Sequence, residues 1–319
     1  MKNYNSYMED LIERLKNDNN VTKSTAFKYV GDLYRLNEEE PFNSLTFLKD
    51  IDKILSVLSD KAVSTQKAYI GSILGVLSLY KSGSKYKNLS KKYNTLLKNM
   101  ESKNEDKIEN NEKTDKQTKN WITWKEVMNT RNNLSNEVNK FIHNKKLKTS
   151  QYNKLLELVV LALYTYQPPR RNEYSNMEIV QANNGKTKDE SKNYLVLKSK
   201  SFIFNKYKTS KTYGNQTIKI HDELYGLIQK YLKHHPLYKK GKSNIPFLVN
   251  SEGSKLNQSN GITRVLNRVF KDTGKNIGAS LLRHSYLSHK FGDELEEKKK
   301  IADKMAHSTS QQTEYIKTD

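Results

Sequence analysis

The chain has 319 residues, 35% of them hydrophobic, which is enough for two folded domains and excludes a wholly disordered chain. It carries 56 lysines and arginines against 35 aspartates and glutamates, and the net charge of +21 predicts a strongly anionic partner, most simply nucleic acid. Cysteine is absent, which excludes disulfides, thiolate catalysis and cysteine-bound zinc.

No apolar run approaches the length needed to cross a bilayer, and the first residues lack the apolar core of a signal peptide. We therefore expect a soluble, intracellular protein that does not contact a membrane and that resides where its nucleic acid lies. A lysine-rich surface from an AT-biased genome is the alternative explanation of the charge.

Residues 1–104 predict a compact helical module. Apolar residues recur at helical spacing in five segments, at about 7–15, 22–36, 47–58, 64–80 and 93–97. The segment 105–119 is almost entirely polar, and we interpret it as a linker, with a solvent-exposed helix as the alternative.

Residues 120–319 predict a second domain that contains both helices and strands. Helices are expected at about 124–142, 147–166, 221–233, 258–272, 278–291 and 294–306, and a further one opening at Arg170 after Pro168-Pro169. Strands are expected at 194–197, 201–205 and 216–220. The fold class is therefore mainly α with a small antiparallel β-sheet.

Arginine is scarce among the basic residues, which makes each arginine informative. Because lysine supplies plain positive charge throughout the chain, a retained arginine is a candidate for planar, bidentate binding of phosphate. The chain has eight arginines, at positions 14, 35, 131, 170, 171, 264, 268 and 283.

Four motifs in the second domain follow one another in a suggestive order. They are Arg170 with Glu173, Ser280-Leu281-Leu282-Arg283-His284-Ser285, Met305-Ala306-His307-Ser308, and Tyr315. Two arginines can hold the oxygens of a phosphodiester while a tyrosine attacks its phosphorus. Taken singly, three of these motifs have a plainer interpretation: Arg170 with Glu173 as a surface pair, Arg283 as part of a helix–helix salt bridge, and Tyr315 as one of 20 tyrosines.

In this order the motifs of residues 120–319 resemble the catalytic domain of the tyrosine recombinases, the phage-integrase family of Cre-like site-specific enzymes. The resemblance implies that Arg170, Arg283 and His307 bind the scissile phosphate, with Glu173 and His284 in support, and that Tyr315 is the nucleophile. Residues 1–104 resemble the family's core-binding domain by position and helical content. The two domains would form a C-shaped clamp around duplex DNA.

The resemblance also implies a general-acid lysine on a β-hairpin, where this chain has several lysines. Lys208 is the first candidate, because Lys208-Thr209 just after a strand resembles the family's arrangement, and Lys211 is the alternative. Two departures from the family pattern stand out. Ser280 occupies the usual histidine position, and the spacing from His307 to Tyr315 is one residue shorter than usual.

The expected function is DNA recombination or integration through a 3′-phosphotyrosine intermediate, in a mobile element or virus, without metal, ATP or another cofactor. The expected partners are double-stranded DNA and three further copies of the chain, as a homo-tetramer on two DNA sites. The alternatives are DNA relaxation by a monomer of the type IB topoisomerase kind, and a decayed, non-catalytic DNA-binding relative.

Overall fold

A computed structural model of the chain describes residues 4–80, 86–109, 112–183, 187, 189–256, 260–306 and 312, with the backbone alone at 102–109 and 303. The chain folds into two compact units, Met1–Glu112 and Lys113–Asp319. The expected fold class is confirmed, since the described residues are mainly helical and carry one small sheet.

The first unit is a bundle of helices around its own apolar core. The helices are α1 (Ser6–Asn17), α2 (Lys23–Leu36), α3 (Ile51–Leu58), α4 (Val63–Leu77) and α5 (Lys87–Glu109). Asp32 is buried on α2, where its carboxylate accepts hydrogen bonds from Lys28 at 2.6 Å, Arg35 at 2.8 Å and Ser72 at 2.7 Å. These partners offset the cost of burying a charge.

The polar segment 105–119 contains two helical stretches. Helix α5 of the first unit continues to Glu109, and α6 (Asp115–Asn120) begins the second unit. The Thr114 hydroxyl caps the Gln117 N–H, and the Gln117 side chain accepts from the Thr114 N–H, which completes a capping box. Side-chain capping thus stabilises a helix with little apolar surface.

The second unit is built around a central apolar helix, Thr149–Thr165, which is buried along most of its length. This confirms the core helix that the apolar run at 155–163 predicts. The helices of this unit after α6 are α7 (Trp124–Asn139), α8 (Thr149–Thr165), α9 (Ser210–Tyr213), α10 (Asp222–His234), α11 (Gly261–Val269) and α12 (Ala279–Lys304).

Helix α12 differs from the expectation of two helices with a break near residue 292. It is continuous from Ala279 to Lys304, because Gly292 remains in helical conformation and no other element crowds it. The two motifs at Ser280 and Met305 therefore lie at opposite ends of one long helix.

The sheet is mixed, which corrects the expectation of a purely antiparallel one. Its strands are β1 (Met177–Val180), β2 (Asn193–Val196), β3 (Ser201–Phe204), β4 (Gln216–Lys219) and β5 (Ile245–Pro246), in the spatial order β4-β3-β2-β1-β5. Strands β1 and β2 are parallel, whereas the other pairs are antiparallel. The segment 181–192 connects β1 to β2 and has the length that a parallel crossover needs, about a dozen residues.

His235 is a buried histidine that links α10 to the sheet. Its Nδ1 accepts the N–H groups of Leu237 at 3.2 Å and Tyr238 at 3.1 Å, and its Nε2 lies 3.0 Å from the Pro246 carbonyl oxygen. An Nδ1 that accepts two hydrogen bonds belongs to a neutral ring. Burial lowers the pKa of His235 to about 4 from its ordinary value of 6.5.

This depressed pKa predicts a loss of stability in acid. Below pH 6.5 the unfolded chain takes up a proton that the folded chain does not bind until about pH 4, so stability falls as pH falls through that window. We expect a loss of about 3 kcal/mol in the free energy of unfolding, measured by urea titration at several pH values. His235→Asn should lose this pH dependence, whereas His289→Asn, at an exposed position, should keep it.

Candidate functional site

Arg170 lies on irregular chain after Pro168-Pro169, and not at the start of a helix as expected. A short 3₁₀ helix, Asn172–Asn176, begins two residues later. The two prolines end α8, but one 3₁₀ turn supplies neither the row of free N–H groups nor the dipole of a longer helix. The binding capacity of this segment therefore comes from its side chains.

The Arg170 guanidinium is held from several sides. Its Nη1 donates a 2.8 Å hydrogen bond to the Gln216 Oε1 on β4, and its Cζ lies 4.0 Å from the ring centre of Phe204 and 5.2 Å from that of Tyr207. Its Nε lies 3.9 Å from the Glu173 Oε2, and within the described residues neither of these buried atoms makes a hydrogen bond. The guanidinium is thus fixed in place and keeps donors to spare.

Asn193 ties the Arg170 segment to the base of the β3–β4 hairpin. Its amide nitrogen donates to the main-chain oxygens of Glu173 and Lys206, both at 3.0 Å. Its amide oxygen accepts the N–H groups of Asn205 at 3.0 Å and Lys206 at 2.9 Å. One buried side chain therefore sets the position of the first arginine relative to the hairpin, a role that no pattern in the sequence indicates.

Arg283 lies on the first turns of α12, which present the second motif. Ser280 and Arg283 are three residues apart and share one face of the helix, while Leu282 and Ser285 are buried. Ser280, Arg283 and His284 all line a cavity of about 670 Å³. Of these three side chains, Ser280 and His284 are exposed and Arg283 is partly buried.

Arg170 and Arg283 line one common cavity, of about 250 Å³, although they are far apart in the sequence. Arg171 lines this cavity as well, and Glu173 is the one acidic residue in its described lining. The hairpin supplies the other side of the cavity through Tyr207, Thr209, Tyr213 and Gln216. Three arginines and one glutamate in the lining give this cavity a net positive charge, which suits the oxygens of a phosphate.

The predicted hairpin is present, with β3 and β4 paired in antiparallel register. Its loop contains the short helix α9, and the Tyr207 hydroxyl closes it by donating a 2.6 Å hydrogen bond to the Gly214 carbonyl oxygen. Gly214 has a φ of +63°, which suits glycine at this turn. Lys208 and Lys211 are both exposed on this loop, and neither lines the two cavities.

Two buried tyrosines lie behind the arginines. Burial raises the pKa of Tyr164 and Tyr174 well above the ordinary range, and the nearby Arg283 and Arg170 respectively oppose the rise. Both phenols therefore stay neutral, and neither has the exposure that a nucleophile needs. The Tyr164 hydroxyl donates a 2.8 Å hydrogen bond to the Arg171 carbonyl oxygen and so fixes the backbone there.

The remaining predicted residues, His307 and Tyr315, lie outside the described residues, as does Ser308. The part of their motif that is described, Met305-Ala306, directly follows the end of α12. The structure thus brings together Arg170, Glu173 and Arg283 with the hairpin that carries the two lysines.

Comparison with known proteins gives only weak structural likeness. No protein-family model matches the chain, and no curated protein matches it in sequence. A crystal structure of XerA recombinase is similar with a TM-score of 0.36 and 10% sequence identity, over 90% of this chain and 84% of that one.

Neither a membrane span nor a metal cluster is present in the part of the chain that the structure describes. Among those residues, no helix combines the length and apolar character needed to span a bilayer. Over the same residues, His, Asp and Glu side chains form no group of three or more that is suited to hold a metal ion.

Proposed function

We propose that this chain is a DNA strand transferase, which breaks a phosphodiester by attack of Tyr315 and later rejoins it, like the tyrosine recombinases that its motifs resemble. The observation that carries the proposal is the cavity shared by Arg170 and Arg283. The two arginines stand in the order that the family's motifs have, and both residues line one cavity together with residues of the lysine-bearing hairpin.

The proposed reaction exchanges one phosphate ester for another. The Tyr315 hydroxyl attacks phosphorus and loses its proton to solvent, the bond from phosphorus to the 5′ oxygen breaks, and a 3′-phosphotyrosine ester forms. Arg170 and Arg283, with His307, stabilise the charge on the non-bridging oxygens, and Lys208 or Lys211 gives a proton to the departing 5′ oxygen. A 5′-hydroxyl that attacks the phosphotyrosine reverses the step. Resealing needs no ATP, because the phosphotyrosine ester conserves the energy of the original phosphodiester.

The proposed partner is duplex DNA, which is consistent with the net charge of +21. The first 104 residues would act as a DNA-binding domain that is joined through 105–119 to the catalytic domain of residues 120–319. Four copies on two DNA sites would exchange strands in pairs. Recombination is thus the proposed outcome of the chemistry, and relaxation of supercoils by a single copy is the competing one.

The nucleophile can be tested by trapping the covalent intermediate. Nicked DNA that loses its 5′-hydroxyl fragment after cleavage is incubated with the protein in EDTA, and adducts are resolved on a denaturing gel. We expect an adduct that resists detergent, and its complete loss in Tyr315→Phe. Tyr213→Phe is the matched control, because Tyr213 lines the arginine cavity and is 67% exposed.

Each other outcome points to a different conclusion. An adduct that persists in Tyr315→Phe but disappears in Tyr213→Phe would move the nucleophile to the hairpin. Tight DNA binding without an adduct on any substrate would indicate a non-catalytic DNA-binding protein. Relaxation of supercoiled plasmid by dilute protein would favour the topoisomerase-like activity over recombination.

A further inference from the structure

The larger cavity adjoins the proposed scissile-phosphate site and shares two residues with it. Arg171 and Arg283 line both cavities, whereas Arg170 lines only the smaller one. We propose that the larger cavity binds the neighbouring phosphodiester of the same DNA strand, with Arg171 and Lys116 as its cationic ligands. This inference rests on the proposed function and names two residues that the family motifs do not include.

The charge of the larger cavity favours an anionic ligand. Its described lining contains Lys116, Arg171, Arg283 and His284 but no aspartate or glutamate. The rest of the described wall consists of hydroxyl, amide and aliphatic side chains and one glycine. A cavity of about 670 Å³ exceeds what one phosphate fills, and it lies within the range of roughly 300–1,000 Å³ that ligand sites occupy.

Arg171 differs from its neighbour Arg170 in ways that suit it to this role. Arg170 pairs with Glu173 and Gln216, whereas no carboxylate in the described part of the chain lies within ion-pairing distance of Arg171. The Arg171 side chain is exposed, yet its backbone is fixed by the buried Tyr164 hydroxyl. A free guanidinium on a fixed backbone is well placed to bind a phosphate bidentately.

Lys116 is brought to the cavity by the short helix α6. The Asn120 side chain accepts the Asn276 N–H at 2.7 Å and donates to the Lys116 carbonyl oxygen at 2.9 Å, so it ties α6 to the segment before α12. No carboxylate in the described residues pairs with Lys116 either. The polar segment that opens the second unit thus delivers a second free cation to the wall of this cavity.

The shared arginines explain why the ligand is a strand and not a free anion. Two adjoining positive cavities with common residues fit two covalently linked phosphates, one in each cavity. Successive phosphodiesters of one DNA strand have this arrangement, and each contact to them adds affinity that salt weakens. The second phosphate would hold the strand while the first reacts.

The first test uses salt and needs no knowledge of the target sequence. The affinity for a DNA duplex is measured by fluorescence anisotropy over a range of salt concentrations. In Arg171→Gln we expect affinity to fall roughly tenfold, and the slope of log K against log salt to fall by about one. Arg171→Lys should keep the slope, and an unchanged slope in Arg171→Gln would overturn the proposal.

The second test locates the phosphate. Once the trapped adduct has mapped the cleavage site, single neutral methylphosphonates replace the phosphates next to it. We expect the methylphosphonate at one of these positions to weaken DNA binding by the wild type. The same substitution should not weaken binding by Arg171→Gln or Lys116→Gln. Arg264→Gln, an arginine that lines neither cavity, should keep the wild-type sensitivity.

The two tests separate this inference from the proposed function. In one outcome the wild type forms the adduct, but DNA binding by Arg171→Gln and Lys116→Gln stays as sensitive as wild type to every methylphosphonate. The proposal of a second phosphate site would then be wrong, and the proposal of a strand transferase would stand. If no adduct forms while Arg171→Gln lowers the salt slope, the cavity still binds DNA and the catalytic proposal fails.

Discussion

Arg170→Lys and Arg283→Lys should each slow formation of the covalent adduct by about 10²–10³-fold, the cost of one transition-state donor, and leave DNA affinity nearly unchanged. Lysine keeps the charge but loses the planar fork that holds two oxygens at once. At Arg170 it also loses the contacts that fix the guanidinium, namely the hydrogen bond to Gln216 and the stacking on Phe204.

Single-turnover adduct formation at saturating protein measures the first quantity, and anisotropy measures the second. Arg131→Lys is the matched control, because Arg131 also stacks on an aromatic ring, that of Tyr166 at 4.2 Å, but lines neither of the two cavities. Its rate should stay at the wild-type level. Wild-type rates in both the Arg170 and Arg283 variants would show that these arginines are not the phosphate clamp.

Much of the fold can be predicted from the sequence because its periodicity is strong. The apolar run at 155–163 predicts a core helix, and strands at 194–197, 201–205 and 216–220 are found within a residue or two. Strand β5 has only two residues, and β1 directly follows the 3₁₀ helix Asn172–Asn176 with no glycine or proline to mark where the strand begins. Without β1, the parallel pairing that makes the sheet mixed cannot be anticipated.

The site is predictable only in part, for a chemical reason. Arginine is rare in this chain, so Arg170 and Arg283 are conspicuous, and their shared cavity agrees with their expected association. Asparagine is common and no motif surrounds Gln216, so nothing marks Asn193 or Gln216 as the residues that position Arg170. The sequence does not distinguish Arg171 from the adjacent Arg170. The structure does, because only Arg170 has a carboxylate partner among the described residues.

The structure does not show which hairpin lysine is the general acid. Neither Lys208 nor Lys211 lines the arginine cavity, whereas Thr209 between them does. On the proposed mechanism, one of these long side chains would reach the leaving oxygen from its exposed loop once DNA is bound. Replacing the true general acid with alanine should slow cleavage of ordinary DNA by about 10²–10⁴-fold, and we expect the larger effect at Lys208.

A sulfur substitution separates proton donation from mere DNA contact. In DNA with a 5′-bridging phosphorothiolate, the leaving group is a thiolate, which is stable enough near neutral pH to depart without a proton. The variant that lacks the acid should therefore cleave this substrate at nearly the wild-type rate, while the other lysine variant should show the same small defect on both substrates. Equal losses on both substrates for Lys208→Ala and Lys211→Ala alike would mean that these lysines only position DNA and that the proton comes from elsewhere.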